Sequence, residues 1–230
     1  MLWTDIIALI IVYAYVGVVF FLAEKVLKSK PEVSRKFLHI MVGNMIFAMP
    51  FFSNPWIMLL FITIPVTIAL FFLTEYSPIT IKNSVTESGH ALGLFFYALI
   101  WSILLLIYPI LIDPNLLWIV AMAIVPLVYG DGFAALVGAK WGRIKYHVFG
   151  GEKSVAGSLA MLSVTAVLSV FVWVFYSAMG YTLPELNFWY ILIISALATV
   201  CEAISYGGID NLTVPSVTSI LYFLVATVQK

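Results

Sequence analysis

Charge is scarce in this 230-residue sequence: Lys, Arg, Asp and Glu together make up 10%, against about 25% in an ordinary soluble domain. The eleven basic and eleven acidic residues cancel, which leaves none of the general polyanion-binding character a nucleic-acid partner would select. A single cysteine, Cys201, excludes an internal disulfide and reads as a small buried hydrophobe. No basic residue precedes the first apolar run. The positive n-region of a cleaved signal peptide is therefore missing, and that run is expected to persist as a span. Low-complexity tracts, convincing internal repeats and a soluble appendage are absent as well. What remains is apolar, with 63% hydrophobic residues and a mean hydropathy of +1.11, more than one soluble core can hide. The expectation is an all-α, polytopic transmembrane protein folded as a single integral membrane domain over residues 1–230.

Eight apolar segments can be marked, at about 3–22, 37–52, 56–73, 92–112, 116–137, 155–179, 188–205 and 213–228. The second and the last fall short of the roughly 20 residues of a full crossing, so seven to eight crossings are expected. With eight, the loops after segments 1, 3, 5 and 7 share one side and hold ten of the eleven basic residues. These are Lys25, Lys28, Lys30, Arg35, Lys36, Lys82, Lys140, Arg143, Lys145 and Lys153; only Lys230 lies opposite. Removing the second crossing would place the two large basic loops on opposite sides, so the positive-inside rule favours it. The N-terminus is then expected outside and the basic loops in the cytoplasm, with Trp3, Trp56, Trp118 and Trp189 opening spans from the outer interface. Most acids, including Asp131, Glu202 and Asp210, follow the basic residues inward, which the rule does not require.

Four constellations lie on that face. In Val33-Ser34-Arg35-Lys36-Phe37-Leu38-His39, helical spacing of three and four puts Arg35, Lys36 and His39 on one face. A histidine and Asn44 inside an apolar span carry a desolvation penalty, although an anchor plus a packing histidine is the plainer reading. The second runs from Tyr129 to Arg143 around Asp131, roughly 9 Å from the inner end of its span. An ionisable group at that depth is read as functional. Gly130, Ala134, Gly138 and Gly142 recur every fourth residue, leaving one helix face bare. That face serves either helix packing or close approach of a nucleotide to the backbone. Gly130 and Gly132 flank the acid, which favours local unwinding beside it.

The third, Gly150-Gly151-Glu152-Lys153-Ser154, leads into segment 6, with Ser154 as a candidate N-cap. A helix start preceded by glycines and a lysine suits an anion. A Walker A spacing is absent and no strand is expected before it. The fourth joins Glu202 to Gly207-Gly208-Ile209-Asp210-Asn211. Counted from their spans' outer ends, Glu202 and Asp131 reach similar depths, roughly 21 and 22 Å. Asp210 and Asn211 are hard oxygen ligands suited to Mg²⁺ or simply turn formers. Glu87 and His90 form a weaker pair at the start of segment 4, and His147 reads as a solvated loop residue.

Taken in order, Arg35-Lys36-x-x-His39, Gly130-Asp131-x-x-Ala134-x-x-x-Gly138, Gly151-x-Lys153-Ser154-x-x-Gly157 and Glu202 followed by Asp210-Asn211-x-x-x-Pro215 resemble the CTP-dependent lipid-alcohol kinases. That family includes dolichol kinase, phytol kinase and the CTP-using diacylglycerol kinase. Its larger eukaryotic members carry extra N-terminal spans that this sequence lacks. The resemblance implies phosphorylation of a membrane isoprenoid alcohol, polyprenol, dolichol or phytol-like, at the cytoplasmic leaflet, with CTP as donor and Mg²⁺ or another divalent cation as cofactor. Phosphoryl transfer needs positioning and neutralisation of spread charge. Arg35, Lys36, Lys140 and Lys153 would then grip phosphates, with Gly130, Gly132, Gly138, Gly150, Gly151, Ser154 and Asn211 around the nucleotide. Asp131 and Asp210 would hold the metal, and Glu202 or His39 would take the hydroxyl proton. Two other readings compete: a CDP-lipid synthase, which also needs CTP, metal and an intramembrane acid, and an ion-coupled transporter with Asp131, Glu202 and His39 as its path.

Overall fold

The computed structural model describes residues 2–26, 31–78, 91–148, 151–205 and 207–229. Each apolar segment becomes a helix. In chain order they are α1 (Trp3–Val26), α2 (Pro31–Gly43), α3 (Pro55–Phe71), α4 (Leu92–Ile112), α5 (Pro114–Trp141), α6 (Val155–Ala178), α7 (Phe188–Ile204) and α8 (Asp210–Val228). Tight 3₁₀ turns at Asn44–Phe47 and Met49–Phe51 prolong α2. By length and composition α1, α4, α5, α6 and α8 can cross a membrane, whereas α3, α7 and the apolar Lys36–Phe51 stretch are shorter. Helix α8 starts at Asp210, three residues ahead of the apolar run, so Asp210 and Asn211 form a first helical turn rather than a loop.

Helix α5 is the post around which the others stand. Every residue from Leu116 to Gly130 is buried, and α5 packs against α2, α4, α6, α7 and α8. The outer helices turn large apolar side chains away from it, among them Ile7, Ile10 and Phe21 of α1, Phe171 of α6 and Ile193 of α7. Water would not tolerate so continuous an apolar surface on a monomer; hydrocarbon would. The protein is an all-α membrane protein in architecture, with one small exception among the described residues. Strands β1 (Lys145–Val148) and β2 (Gly151–Ser154) pair antiparallel, His147 opposite Glu152 and Lys145 opposite Ser154, immediately before α6. This corrects the expectation of no strand there. The alternation Lys145-Tyr146-His147-Val148 followed by Gly150-Gly151 is a hairpin signal, masked by its place between two spans.

Proline shapes three of the helices. It lacks an N–H and crowds the carbonyl four residues back, and a wider turn accommodates it. Wide turns occur at Leu59–Thr63 just before Pro65, at Leu106–Ile112 around Pro109, and at Pro126–Gly130. The backbone beside Asp131 is therefore a wide but continuous helix rather than the unwound segment its glycines suggest.

Hydrogen bonds gather the connections into two ends. Asp5 accepts from the Leu2 N–H (2.6 Å), the Ser53 N–H (2.7 Å) and the Ser53 hydroxyl (2.7 Å), tying the start of α1 to the α2–α3 connection. Asn115 and Thr182 exchange two bonds of 2.8 Å, joining the first turn of α5 to the α6–α7 connection. The other end holds the hairpin and the start of α8.

Candidate active site

Asp131 emerges from α5 one residue past its wide turn. Its N–H reaches back five residues to the Pro126 carbonyl. The Leu127 carbonyl, the partner of that N–H in an ordinary α-turn, instead meets His39 Nε2 at 2.8 Å. A carbonyl carries no proton, so Nε2–H donates. Tyr97 of α4 donates to the His39 carbonyl (3.1 Å), and its ring lies 4.4 Å from the imidazole. His39, 8% exposed, is thus a fastener between α2, α4 and α5, with Nε2 3.8 Å from Asp131 Oδ2. One turn before it, Lys36 Nζ lies 2.6 Å from Asp131 Oδ2.

Helix α7 delivers Glu202, 4% exposed, to the same place, where Lys153 from β2 pairs with its Oε1. Burial alone would lower the pKa of the Lys153 ammonium, but Glu202, with Asp131 and Asp210 behind it, holds it above the ordinary lysine value. Asp210 arrives from the first turn of α8. That turn follows Gly207 and Gly208 at φ +65° and +84°, a left-handed conformation that costs glycine nothing. A Cβ on Gly208 would sit 2.8 Å from the Gly93 Cα; this close approach of α4 to the α7–α8 turn is not legible in the sequence, where Gly93 is one more small residue in an apolar span. Asn211 Nδ2 donates to the Gly208 carbonyl (3.0 Å) and closes the turn.

One carboxylate oxygen each from Asp131, Glu202 and Asp210 lies within 4.8 Å of the others. Magnesium holds oxygen ligands octahedrally at about 2.1 Å, so adjacent ligands stand about 3.0 Å apart and opposed ones about 4.2 Å. Three hard oxygens at this spacing fit such a cation with small side-chain adjustment. The triad opens onto a cavity of about 740 Å³, within the range of small-molecule sites. Its wall also includes Lys36, His39, Gly138, Lys153, Ser154 and Asn211.

The remaining expected residues fall elsewhere. Gly130 packs on α6, where a Cβ would stand 2.5 Å from Thr165 Oγ1, and Gly132 packs on α2, with Ile40 Cγ1 at 2.6 Å. Gly138 lies at the cavity edge but likewise meets Ser154 Oγ at 2.8 Å, and a Cβ on Gly157 would reach the Ala134 carbonyl at 2.9 Å. The fourfold stripe is therefore the seam between α5 and α6. Lys140 is exposed beside the Trp141 ring, 4.6 Å from its centroid, rather than at the cavity wall. Gly151 opens β2. Ser154 caps α6, its hydroxyl accepting from the Gly157 N–H at 3.1 Å. Gly150, Glu87 and His90, and the side chain of Arg35, lie outside the described residues. The hairpin adds Lys145 and Glu152 to the cavity wall, a pair that sequence spacing alone leaves unconnected.

No family model matches the chain, and no solved structure matches it. Curated proteins do. The phytol kinase of Synechocystis sp. is 34% identical over 210 residues, 87% of this chain and 84% of its own length. The probable chloroplastic phytol kinases of Zea mays and Triticum aestivum are 28% identical over 222 residues and 29% over 204, covering 92% and 84% of this chain and 72% and 67% of theirs. A likeness of that extent shows the family: the chain belongs to the CTP-dependent lipid-alcohol kinases.

Proposed function

We propose that this lipid-alcohol kinase transfers the γ-phosphoryl group of CTP to the hydroxyl of a membrane isoprenoid alcohol, phytol-like or a polyprenol or dolichol, at the cytoplasmic leaflet. The observation that carries the reading is the convergence of three carboxylates and two lysines in one cavity at one end of an apolar bundle. The start of α2 with Lys36 and the hairpin with Lys145 and Lys153 lie at that end, which favours eight crossings with the N-terminus outside. Asp131 and Asp210, joined by Glu202, would hold Mg²⁺. When bound, it supplies charge neutralisation at the phosphates and a template for in-line attack.

The chain's own residues divide the rest. Lys36 and Lys153 grip the phosphates, and the hairpin walls the nucleotide side of the cavity. The alcohol enters laterally from the bilayer, so that only its hydroxyl reaches the carboxylates. Its oxygen attacks the γ-phosphorus while the bond to the β–γ bridging oxygen breaks and CDP departs. The hydroxyl proton passes to the Glu202 carboxylate oxygen turned away from the cation, while His39 Nε2–H holds the Leu127 carbonyl. His39 is a positioning residue in this scheme. Phosphoryl transfer has little covalent work for a protein to do, and a cavity that fixes charges at bilayer depth suits it.

The test is purified protein supplied with CTP labelled separately at the α- and γ-phosphates, against phytol, polyprenol and diacylglycerol. Label from the γ-position in an isoprenoid phosphate supports the proposal. Label from the α-position means a CDP-lipid synthase, and ion flux without nucleotide turnover means a transporter; either outcome overturns it.

A further inference from the structure

Lys36 and Lys153, the two lysines beside the triad, are already engaged, and with the same carboxylates that would hold a metal. Lys36 Nζ rests on Asp131, and Lys153 Nζ on Glu202. Asp210 alone of the triad makes no ion pair among the described residues. A divalent cation drawn to the triad therefore meets two ammonium groups in possession of its ligands, and like charges at such separations repel strongly where water is thin. All three acids come from different helices, so the two lysines also keep α2, α5, β2 and α7 together against carboxylate repulsion.

We propose that the cavity works by cation exchange. The divalent cation takes over Asp131 and Glu202 and displaces both ammonium groups, which swing on their flexible four-carbon stems to the phosphates of the incoming nucleotide. The inference rests on the kinase reading of the cavity and adds a binding rule to it. A cation alone binds weakly, because two part-buried ammonium groups are left without partners. A polyphosphate alone binds weakly, because its lysines are engaged elsewhere. Each favours the other, a positive coupling that thermodynamics requires to be reciprocal. In the resting enzyme the lysines stand in for the metal, keeping the carboxylate cluster neutralised without it.

The probe is Mn²⁺, followed by electron paramagnetic resonance on detergent-purified protein with no nucleotide present. Lysine to methionine keeps the stem and removes the charge. Lys36→Met and Lys153→Met should each bind Mn²⁺ more tightly than the wild type by at least about tenfold, the scale of an ordinary coupling between ligands. Asp131→Asn should abolish that binding. Unchanged or weaker Mn²⁺ binding in both methionine variants overturns the exchange. Should a methionine variant fail to fold, the wild type decides. Acylation of Lys36 and Lys153 by an amine-reactive reagent, read by mass spectrometry, should rise with saturating Mg²⁺ relative to chelator and fall when tripolyphosphate is added with Mg²⁺. No rise with Mg²⁺ refutes the exchange. Label transfer from γ-labelled CTP, run in parallel, separates the two ideas. Transfer without exchange leaves the kinase standing, and exchange without transfer removes the kinase alone.

Discussion

Changing Asp131 to Asn alters two quantities whose sizes differ enough to separate a chemical role from a structural one. Its carboxylate faces Lys36 at 2.6 Å, with the two side chains 16% and 11% exposed. At an effective dielectric constant of about 20, the gross attraction across that distance is about 6 kcal/mol. Removing the charge also removes the cost of burying it, and the amide oxygen still accepts from Lys36. The net loss of stability is then about 1–2 kcal/mol, smaller than when a buried charge is stranded with no acceptor. A bundle centred on the fully buried Leu116–Gly130 stretch tolerates that. Transition-state stabilisation through a metal ligand is worth several kcal/mol, and about 4 kcal/mol is about a thousandfold in rate. The variant should therefore purify as a monodisperse protein with slightly lowered thermal stability, yet transfer label from γ-labelled CTP to phytol about a thousandfold more slowly. Retention of more than about a tenth of wild-type turnover with unchanged Mg²⁺ dependence, against the several kcal/mol expected, would refute a metal-holding Asp131. Aggregation of the variant would instead show that the ion pair holds the bundle together.

Three further changes test the frame around the triad. Ser154→Ala removes the hydroxyl that caps α6 and should cost about 1 kcal/mol, measured by thermal unfolding in detergent. Gly208→Ala forces a side chain into φ +84° and against Gly93. It should shift the first turn of α8 and lower turnover about tenfold or more, since small misplacements of catalytic groups are amplified, while membrane insertion is retained. The hairpin should respond to pH. The Lys145 ammonium beside Glu152 holds its carboxyl below the ordinary glutamate value of 4.5, with His147 assisting. That support is complete above 4.5 and is lost as the pH falls through the lowered value, so the protection of the β1 and β2 amides against exchange, relative to their intrinsic rates, should fall in that window. Salt should shrink the effect because the pair is exposed, and Glu152→Gln should remove it.

The helices were legible because each apolar run is long and bounded by polar residues; the charged residues that crowd one end mark the site for a related reason. Asp131 and Glu202 could be placed at one depth from helical rise alone, and their carboxylates do meet. Asp210 was readable as a ligand type, but its position was not. Its place depends on α8 beginning at Asp210, ahead of the apolar run, and on Gly208 nesting against Gly93 across 115 residues of chain (208 − 93). The hairpin was missed because four-residue strands between two spans carry too little pattern to outweigh the surrounding apolar signal. The spacing of Gly130 and Gly132 suits nucleotide approach and helix packing equally well. Only the position of Thr165 and Ile40 against them tells packing from phosphate binding.

The wide turn at Pro126 joins these observations. A helix that continued in ordinary α register through this proline would give the Asp131 N–H to the Leu127 carbonyl and leave His39 Nε2–H without that acceptor. The extra residue in the turn rotates everything after it by about 100°, one residue's worth of helix. The Gly138 seam then lies on α6, Gly132 lies on α2, and Asp131 points between them into the cavity. The freed carbonyl binds His39, whose own carbonyl anchors Tyr97, so the same irregularity that aims the acid also fastens the helix carrying Lys36. Proline inside a span is costly unless the released backbone groups find partners. The Leu127 carbonyl that the wide turn releases finds its partner in His39, which links the geometry of the site to the backbone of the buried α5.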